Sequence, residues 1–331
     1  KESGKAEEIL SRITHGQSLS VSSEYLKAMN EFMDEMRTAF HGHIIRRTLK
    51  STDWEDNPIS GLRPYREHLI IRSLFEFEEK ALEDVKPGIS CDNDDAAKEA
   101  GDLFIAKGKN FYLNIRKSLT HPACHSSADF LEGNLPISSK IDGLIKILKH
   151  HLAMDNMSPM KYDSNEKDLV PDNEKTVLDR APESEPDKIV IYVAFPSNLP
   201  TLTEFLEAEG IKFFTYTGSN SMKVRSDTLK AFHKAGRDDP RVLIMSGAGA
   251  VGLNIAFANI LIIMDTLWSA QEDAQLIGRV WRHPQPKLVE VYRLIAAGTP
   301  DVFLNNISFD KGYMHGSFAN TSETLRKSPL P

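Results

Sequence analysis

Four residues near the carboxyl end of the chain have the types and spacing to bind a polyphosphate: Gln275, Gly278, Arg279 and Arg282. They stand at offsets 0, 3, 4 and 7, so on a helix of 3.6 residues per turn they share one face. Two guanidinium forks on one face suit paired hydrogen bonds to phosphate oxygens. Ser269, followed three residues later by Glu272, supplies a capping box, and the spacing predicts a helix running from about Thr266 through Arg282. Upstream, Gly247, Gly249 and Gly252 lie between two short apolar runs, Val242–Met245 and Ile260–Met264. Glycine backbone brings N–H groups to an anion with no Cβ in the way. The competing reading of the arginine pair is a surface face that meets Asp265, Glu272 or Asp273 in exposed ion pairs.

Those residues need a scaffold, and the runs on either side describe one. Lys188–Ala194 and Lys212–Tyr216 are further apolar strands, with helices expected at about Leu199–Glu209, closed by Gly210, and at Ser226–Lys234. Strand, helix, strand, helix, strand is the order of a parallel α/β sheet covered on both faces. In such sheets the loops at the carboxyl ends of the strands carry function, here Tyr216–Ser219 and Ser246–Asn254.

The pattern Q-x-x-G-R-x-x-R, about twenty residues after a Gly-Leu-Asn turn and a buried strand ending in Asp265, resembles the last two motifs of superfamily-two helicases. With Gln285 and the strand Val291–Leu294, the chain is most similar to the Swi/Snf-type DNA-dependent ATPases over most of residues 186–300. The resemblance implies a parallel-sheet, RecA-like C-terminal lobe of the P-loop NTPase type. It implies catalytic roles for Arg279, Arg282 and Gln275, and nucleotide contacts by Gly249, Gly252, Asn254 and Gly278. It implies nucleic-acid contacts by Gly218, Ser219, Arg225 and Ser246. The implied cofactor is ATP with Mg2+, bound mainly by a first lobe. The implied partners are that first ATPase lobe and double-stranded DNA or chromatin, in a nuclear protein that moves along duplex DNA.

The first half of the chain is less explicit. Residues 1–88 are expected to be the mostly helical tail of a first lobe, with an apolar stripe over Ser22–Phe40, then Arg46-Arg47-Thr48 and Leu62–Leu82, which resemble its final segment. Residues 89–154 are expected to form a connecting helical region in which Asn114–Pro122 resembles the signature between the lobes and Ser138–Leu152 is a capped amphipathic helix. Residues 155–187 hold ten Asp or Glu against four Lys or Arg and no apolar period, which predicts a disordered or extended insertion. Residues 188–300 are the expected RecA-like lobe and 301–331 an extension. His121, Cys124 and His125 form one ligand cluster without a second pair at zinc spacing, so no metal site is expected.

The net charge of −7 does not advertise a nucleic-acid binder, yet residues 155–187 alone contribute −6 of it, leaving room for basic patches elsewhere. Two cysteines exclude a disulfide framework. No apolar run reaches membrane-spanning length, so the chain is expected to be soluble and intracellular. Its first residue is Lys1, consistent with a piece of something longer. No G-x-x-x-x-G-K-[ST] and no Asp-Glu-x-His occurs, so the chain carries half of a catalytic site and is expected to be inactive alone. Gly247-x-Gly-x-x-Gly252 with Asp265 also spells a dinucleotide fingerprint, but seven residues between Gly252 and Ile260 are too few for a crossover helix. A degenerate, non-catalytic interaction module is the remaining alternative.

Overall fold

The computed structural model describes residues 51–57, 59–85, 113–124, 135–173, 185–247, 252–267, 269–302, 304 and 305, with Glu35, Thr38 and Ala39. There are two compact units: Gly61–Ser308, and Lys1–Ser60 together with Phe309–Pro331. In the latter, Asp53 Oδ1 accepts from the N–H groups of Glu55 (2.8 Å) and Asn57 (2.9 Å), closing a polar turn. The expected helix at Ser22–Phe40 lies outside the described residues apart from helical Glu35, Thr38 and Ala39, and Arg46 and Arg47 lie outside them too.

The larger unit runs β1 (Arg66–Arg72), α1 (Glu76–Val85), α2 (Ser139–Ala153), β2 (Met160–Asp163), β3 (Asp168–Pro171), β4 (Ile189–Val193), α3 (Leu199–Ala208), β5 (Phe213–Tyr216), α4 (Met222–Lys234), β6 (Val242–Ser246), β7 (Ile260–Ile263), α5 (Ala270–Val280) and β8 (Glu290–Ala296). Six strands form one sheet in the order β1-β8-β7-β4-β6-β5, and every pairing in it is parallel. Every residue of β4, β6, β7 and β8 is buried, whereas the edge strand β1 alternates. That is why the central strands read as unbroken apolar runs.

Alternation along each strand sorts the core into two layers. Ile189, Ile191, Ile244, Ile260 and Ile262 meet α2 and α3 through Ile141, Leu144, Leu148, Leu202 and Leu206. Val190, Leu243, Met245, Leu261 and Val291 meet Phe232 of α4 and Leu276, Ile277 and Val280 of α5. Each such aliphatic side chain contributes roughly 1.5–3 kcal/mol when enclosed. Serine caps start three of the helices: Ser138, Ser221 and Ser269 accept from the N–H groups of Ile141, Val224 and Glu272. Gly210, at φ +68°, supplies the left-handed residue that ends α3.

The structure moves several expected boundaries. Residues 66–72, assigned by resemblance to a first-lobe tail, are the edge strand of this sheet, paired with β8 from Arg66↔Glu290 to Arg72↔Ala296. α2, counted within residues 89–154 but expected by the resemblance to open the second lobe, fills one core layer of that lobe. Beyond residue 300, Leu304 is buried and Asp301 forms a buried ion pair with Lys140, so the lobe does not stop there. Chain order and local composition do not reveal pairing between strands more than two hundred residues apart. Of the helix expected at Asp102–Leu119, residues 113–118 are described and helical.

The acidic insertion is corrected as well. Residues 160–171 form an antiparallel hairpin, from Met160↔Pro171 to Asp163↔Asp168. Its ends are clasped: Asp187 N–H donates to Asp155 (2.8 Å) and Asn156 N–H donates to Asp187 (2.7 Å). Asp155 also takes Arg241 (2.7 Å) and Arg237 (2.6 Å), Asp187 takes Lys287 (2.8 Å), and Asp168 takes Lys146 (2.6 Å). Composition suggested disorder because the cations that neutralise these carboxylates lie elsewhere in the sequence. Residues 174–184 are outside the described set.

The hairpin is anchored to the core through Tyr292, whose hydroxyl accepts from Met160 N–H (3.0 Å) and lies 2.8 Å from His151 Nε2. His151 Nδ1 is buried without a partner, and burial, with His150 next to it, pushes the imidazole down to about 4. The unfolded chain binds this proton first, near the ordinary value of about 6.5. The stability due to neutral His151 is therefore complete above that value and lost as pH falls towards 4, by up to roughly 3 kcal/mol. Urea unfolding from pH 7 to pH 4.5 is expected to show this decline, and His151→Gln is expected to flatten it; an unchanged acid limb in the variant contradicts the assignment.

Candidate functional site

The loops that leave β7, β6 and β5 at their carboxyl ends carry most of the expected site residues. The segment after β7 is fixed first. Lys140, fully enclosed, donates to Met264 O (2.9 Å). Asp265 accepts from Thr120 Oγ1 (3.0 Å) and from Ala194 N–H (2.8 Å), and Arg116 donates to Thr266 O (2.5 Å). Burial pushes the Asp265 carboxyl up, while Lys140 and those two hydrogen bonds act in the opposite direction. Three consecutive residues are thus tied down by side chains from residues 116–140 before α5 begins.

α5 starts at Ala270 rather than near Thr266, with Ser269 Oγ accepting from Glu272 N–H (3.1 Å). Apolar Leu276, Ile277 and Val280 turn inward, while Gln275 stays exposed. Nothing lies within 4 Å of a Cβ built on Gly278, so the surface beside Arg279 is open. Arg279 Nη1 lies 3.5 Å from Leu253 O, a long contact, and Ile255 N–H donates to Arg279 O (3.1 Å), seaming the helix to the end of the glycine-rich loop.

The expectation that Arg282 continues this helical face is corrected. α5 ends at Val280, and Trp281 leaves the helix at φ −86°, ψ 78°. The exposed Arg282 sits in a turn closed by Gln285 N–H to Arg282 O (2.9 Å), with Gln285 Nε2 on Ala258 O (2.6 Å). Pro284, three residues on, has no backbone N–H to continue a helix, and Trp281 is held at the exit: its Nε1 donates to Arg63 O (2.7 Å) and its ring meets Tyr65 edge-on at 4.8 Å.

Neither arginine takes the acidic partners proposed for a plain surface pair. Asp265 is enclosed by the contacts above. Asp273 is gripped in a fork by Arg293, Nη1 to Oδ1 at 2.6 Å and Nη2 to Oδ2 at 2.5 Å, and Arg293 Nε reaches Glu67 (2.8 Å). Arg293 is held above its already high ordinary value by these carboxylates, against burial, which opposes them.

At the other loops, Gly252 takes φ +82°, a conformation that favours glycine, and Asn254 is exposed, its Oδ1 accepting from Ala256 N–H (3.3 Å). Gly249 lies outside the described residues. Gly218 and Ser219 are exposed in a loop that Arg225 ties by bonds to Asn220 O (2.8 Å) and Gly218 O (3.1 Å), so Arg225 shapes the loop it was expected to assist. Ser246 is a correction: it is completely buried and its hydroxyl has no hydrogen-bond partner, because both faces of β6 are covered along its whole length. His121 uses Nδ1 to accept from Ala123 N–H (3.0 Å) and places Nε2 2.8 Å from Pro136 O. Burial pushes the Cys124 thiol up to about 11. His125 is outside the described residues.

The helicase conserved C-terminal domain matches residues 173–284. Together with the six-stranded parallel sheet, this makes residues 173–284 similar to the C-terminal, RecA-like lobe of superfamily-two helicases of the Swi/Snf type. Among its relatives, the DNA repair protein rad8 of Schizosaccharomyces pombe is 38% identical over 137 residues, 40% of this chain and 12% of that protein. Protein CHROMATIN REMODELING 5 of Arabidopsis thaliana is 26% identical over 189 residues, 57% of this chain and 10% of that protein. The Sulfolobus solfataricus SWI2/SNF2 ATPase core shares the fold, with a TM-score of 0.51 and 20% identity over 83% of this chain and 48% of its own. The chain thus spans about a tenth of the length of these two curated relatives. The sheet order tells against the dinucleotide-binding alternative: β4 lies between β6 and β7, and no α-helix joins them among the described residues.

The residue pattern assigns no role in holding α5 to Arg293, Arg63, Tyr65 or Trp281, which the structure brings against it. Arg293→Leu is expected to cost about 3 kcal/mol or more by stranding Asp273 and Glu67, and Arg293→Lys to recover less than half, since it lacks the fork. Chemical unfolding measures both; a neutral Arg293→Leu contradicts the clamp.

Proposed function

We propose that this chain supplies the arginine-bearing half of an ATP site in a DNA-dependent translocase, with Arg279 and Arg282 acting on phosphate bound by a first lobe. The observation that carries the reading is that Asp273 and Asp265 are committed to other partners, while Arg282 is exposed and Arg279 is half-buried next to Gly278, where a Cβ would meet nothing within 4 Å. Such groups fit a polyanion: they supply positive charge and planar donor pairs where phosphate charge develops. When bound, ATP with Mg2+ supplies the phosphoryl group; the residues of this chain supply charge and orientation. Gln275 stands exposed on the same helix, and the Gly252–Asn254 turn is seamed to Arg279. Exposed Gly218 and Ser219, on a loop braced by Arg225, are the proposed contacts to the nucleic-acid backbone; buried Ser246 is not among them.

The proposed partners are a first ATPase lobe and double-stranded DNA or chromatin, in a nuclear protein. The names of the relatives, a DNA repair protein and a chromatin remodelling protein, support that choice. No described helix is long and apolar enough to cross a membrane.

Two measurements test the reading. The isolated 331-residue chain is expected to hydrolyse no ATP above background with or without DNA, because no phosphate-loop lysine is present to neutralise charge on the transferred group. Turnover by the isolated chain that is lost on Arg279→Lys contradicts this. In a form carrying a complete first lobe, Arg279→Lys is expected to lower DNA-stimulated turnover by roughly a thousand-fold, the scale of an arginine finger, with ATP affinity and unfolding midpoint little changed. Turnover within a few-fold of the parent contradicts the assignment.

A further inference from the structure

The two arginines are separated by Trp281, and what holds this tryptophan decides where Arg282 goes. Three observations meet there. First, the backbone leaves the helix at Trp281 itself, although Trp281 N–H still bonds to Ile277 O (2.8 Å). Second, the indole is fastened by two residues of the strap that leads into β1: Arg63 O accepts its N–H at 2.7 Å and Tyr65 presents its ring at 4.8 Å with a 67° interplanar angle. Third, β1, which the strap enters, is tied to the first turn of α5 by a separate route, since Glu67 accepts from Arg293 and Arg293 grips Asp273. The strap and the strand it enters thus meet the arginine helix at two points about two helical turns apart.

We propose that Trp281 is a positioning residue for the arginine pair: its bond to the Arg63 carbonyl and its contact with Tyr65 fix the chain between Arg279 and Arg282, so that both guanidinium groups face one phosphate-binding surface. This rests on the arginine reading above and adds a coupling to it. The strap at Gly61–Tyr65 is the chain that feeds the edge strand β1, so displacement of the strap moves the base from which Arg282 projects. A free helix end frays within its last turn, and an arginine on a fraying turn samples many directions. An indole N–H with a carbonyl acceptor, and an aromatic pair worth about 0.5–1.5 kcal/mol beyond its area, suppress that motion. Misplacement of a reacting group by about 1 Å costs on the order of a hundredfold in rate, so a modest loosening is readable in turnover.

Trp281→Phe keeps a ring against Tyr65 and removes the N–H donor; Tyr65→Leu removes the aromatic partner; Trp281→Ala removes both contacts. In the form carrying a first lobe, Trp281→Phe is expected to lower kcat roughly tenfold and Trp281→Ala up to about a hundredfold, with KM for ATP unchanged within about twofold. Adding Tyr65→Leu to Trp281→Ala is expected to cost little more, because the shared contact is already gone. In the 331-residue chain by itself, hydrogen exchange at residues 281–285 is expected to quicken in Trp281→Phe while residues 274–280 keep their protection. Parental kcat in Trp281→Phe despite faster exchange at 281–285, in an enzyme that Arg282→Ala cripples, overturns the positioning role. Unchanged exchange at 281–285 in Trp281→Ala overturns the anchoring itself. If Arg279→Lys and Arg282→Ala both leave turnover intact, the arginine reading fails instead, and exchange still reports on the anchor.

Discussion

The structure depends first on enclosing a parallel sheet on both faces. β4, at five residues, has no exposed position, and its neighbours β6 and β7 are equally enclosed. Such strands cannot present chemistry along their length; only their ends reach solvent. The helices that close the two faces therefore do more than complete a core, because they fix where the loops at the carboxyl edge emerge. α2 and α3 cover one face and α4 and α5 the other, and α5 brings the arginines with it.

Apolar burial is non-directional and does not fix the rotation of α5 about its own axis or the path of its last residues. Polar contacts do that. Lys140, Thr120 and Arg116 secure Met264, Asp265 and Thr266 before the helix begins. Arg293 grips Asp273 from the sheet, and Arg63 with Tyr65 secures Trp281 after the helix ends. The buried members of this set are costly to leave unpaired, which gives the arrangement specificity more than net stability. Carboxylates satisfied in this way are withdrawn from Arg279 and Arg282, which stay open to an external anion.

Much of this was legible in the sequence. Val242–Met245 and Ile260–Met264 announced buried strands, and Ser269 with Glu272 announced the start of the arginine helix. Its end was marked only by Pro284, which the spacing argument overrode in carrying the helix through Arg282, while the bond of the Trp281 indole to the Arg63 carbonyl leaves no mark in the local pattern. The same limit explains the edge strand Arg66–Arg72 and the hairpin at Met160–Pro171. In both cases the partners are distant in sequence, β8 for the strand, Lys146 and Tyr292 for the hairpin. Ser246 was misread because a polar residue at a strand end looks like a surface group, and nothing local shows that both faces of β6 are covered along its whole length.

Protection from an arginine-selective reagent tests the central claim most directly. In a form carrying a first lobe, phenylglyoxal labelling of Arg279, Arg282 and Arg225 would be compared with and without ADP–aluminium fluoride and duplex DNA. If the two arginines face phosphate in the closed state, Arg279 and Arg282 lose reactivity with the nucleotide analogue while Arg225 responds to DNA alone. Equal labelling of Arg279 and Arg282 in both states would contradict the account.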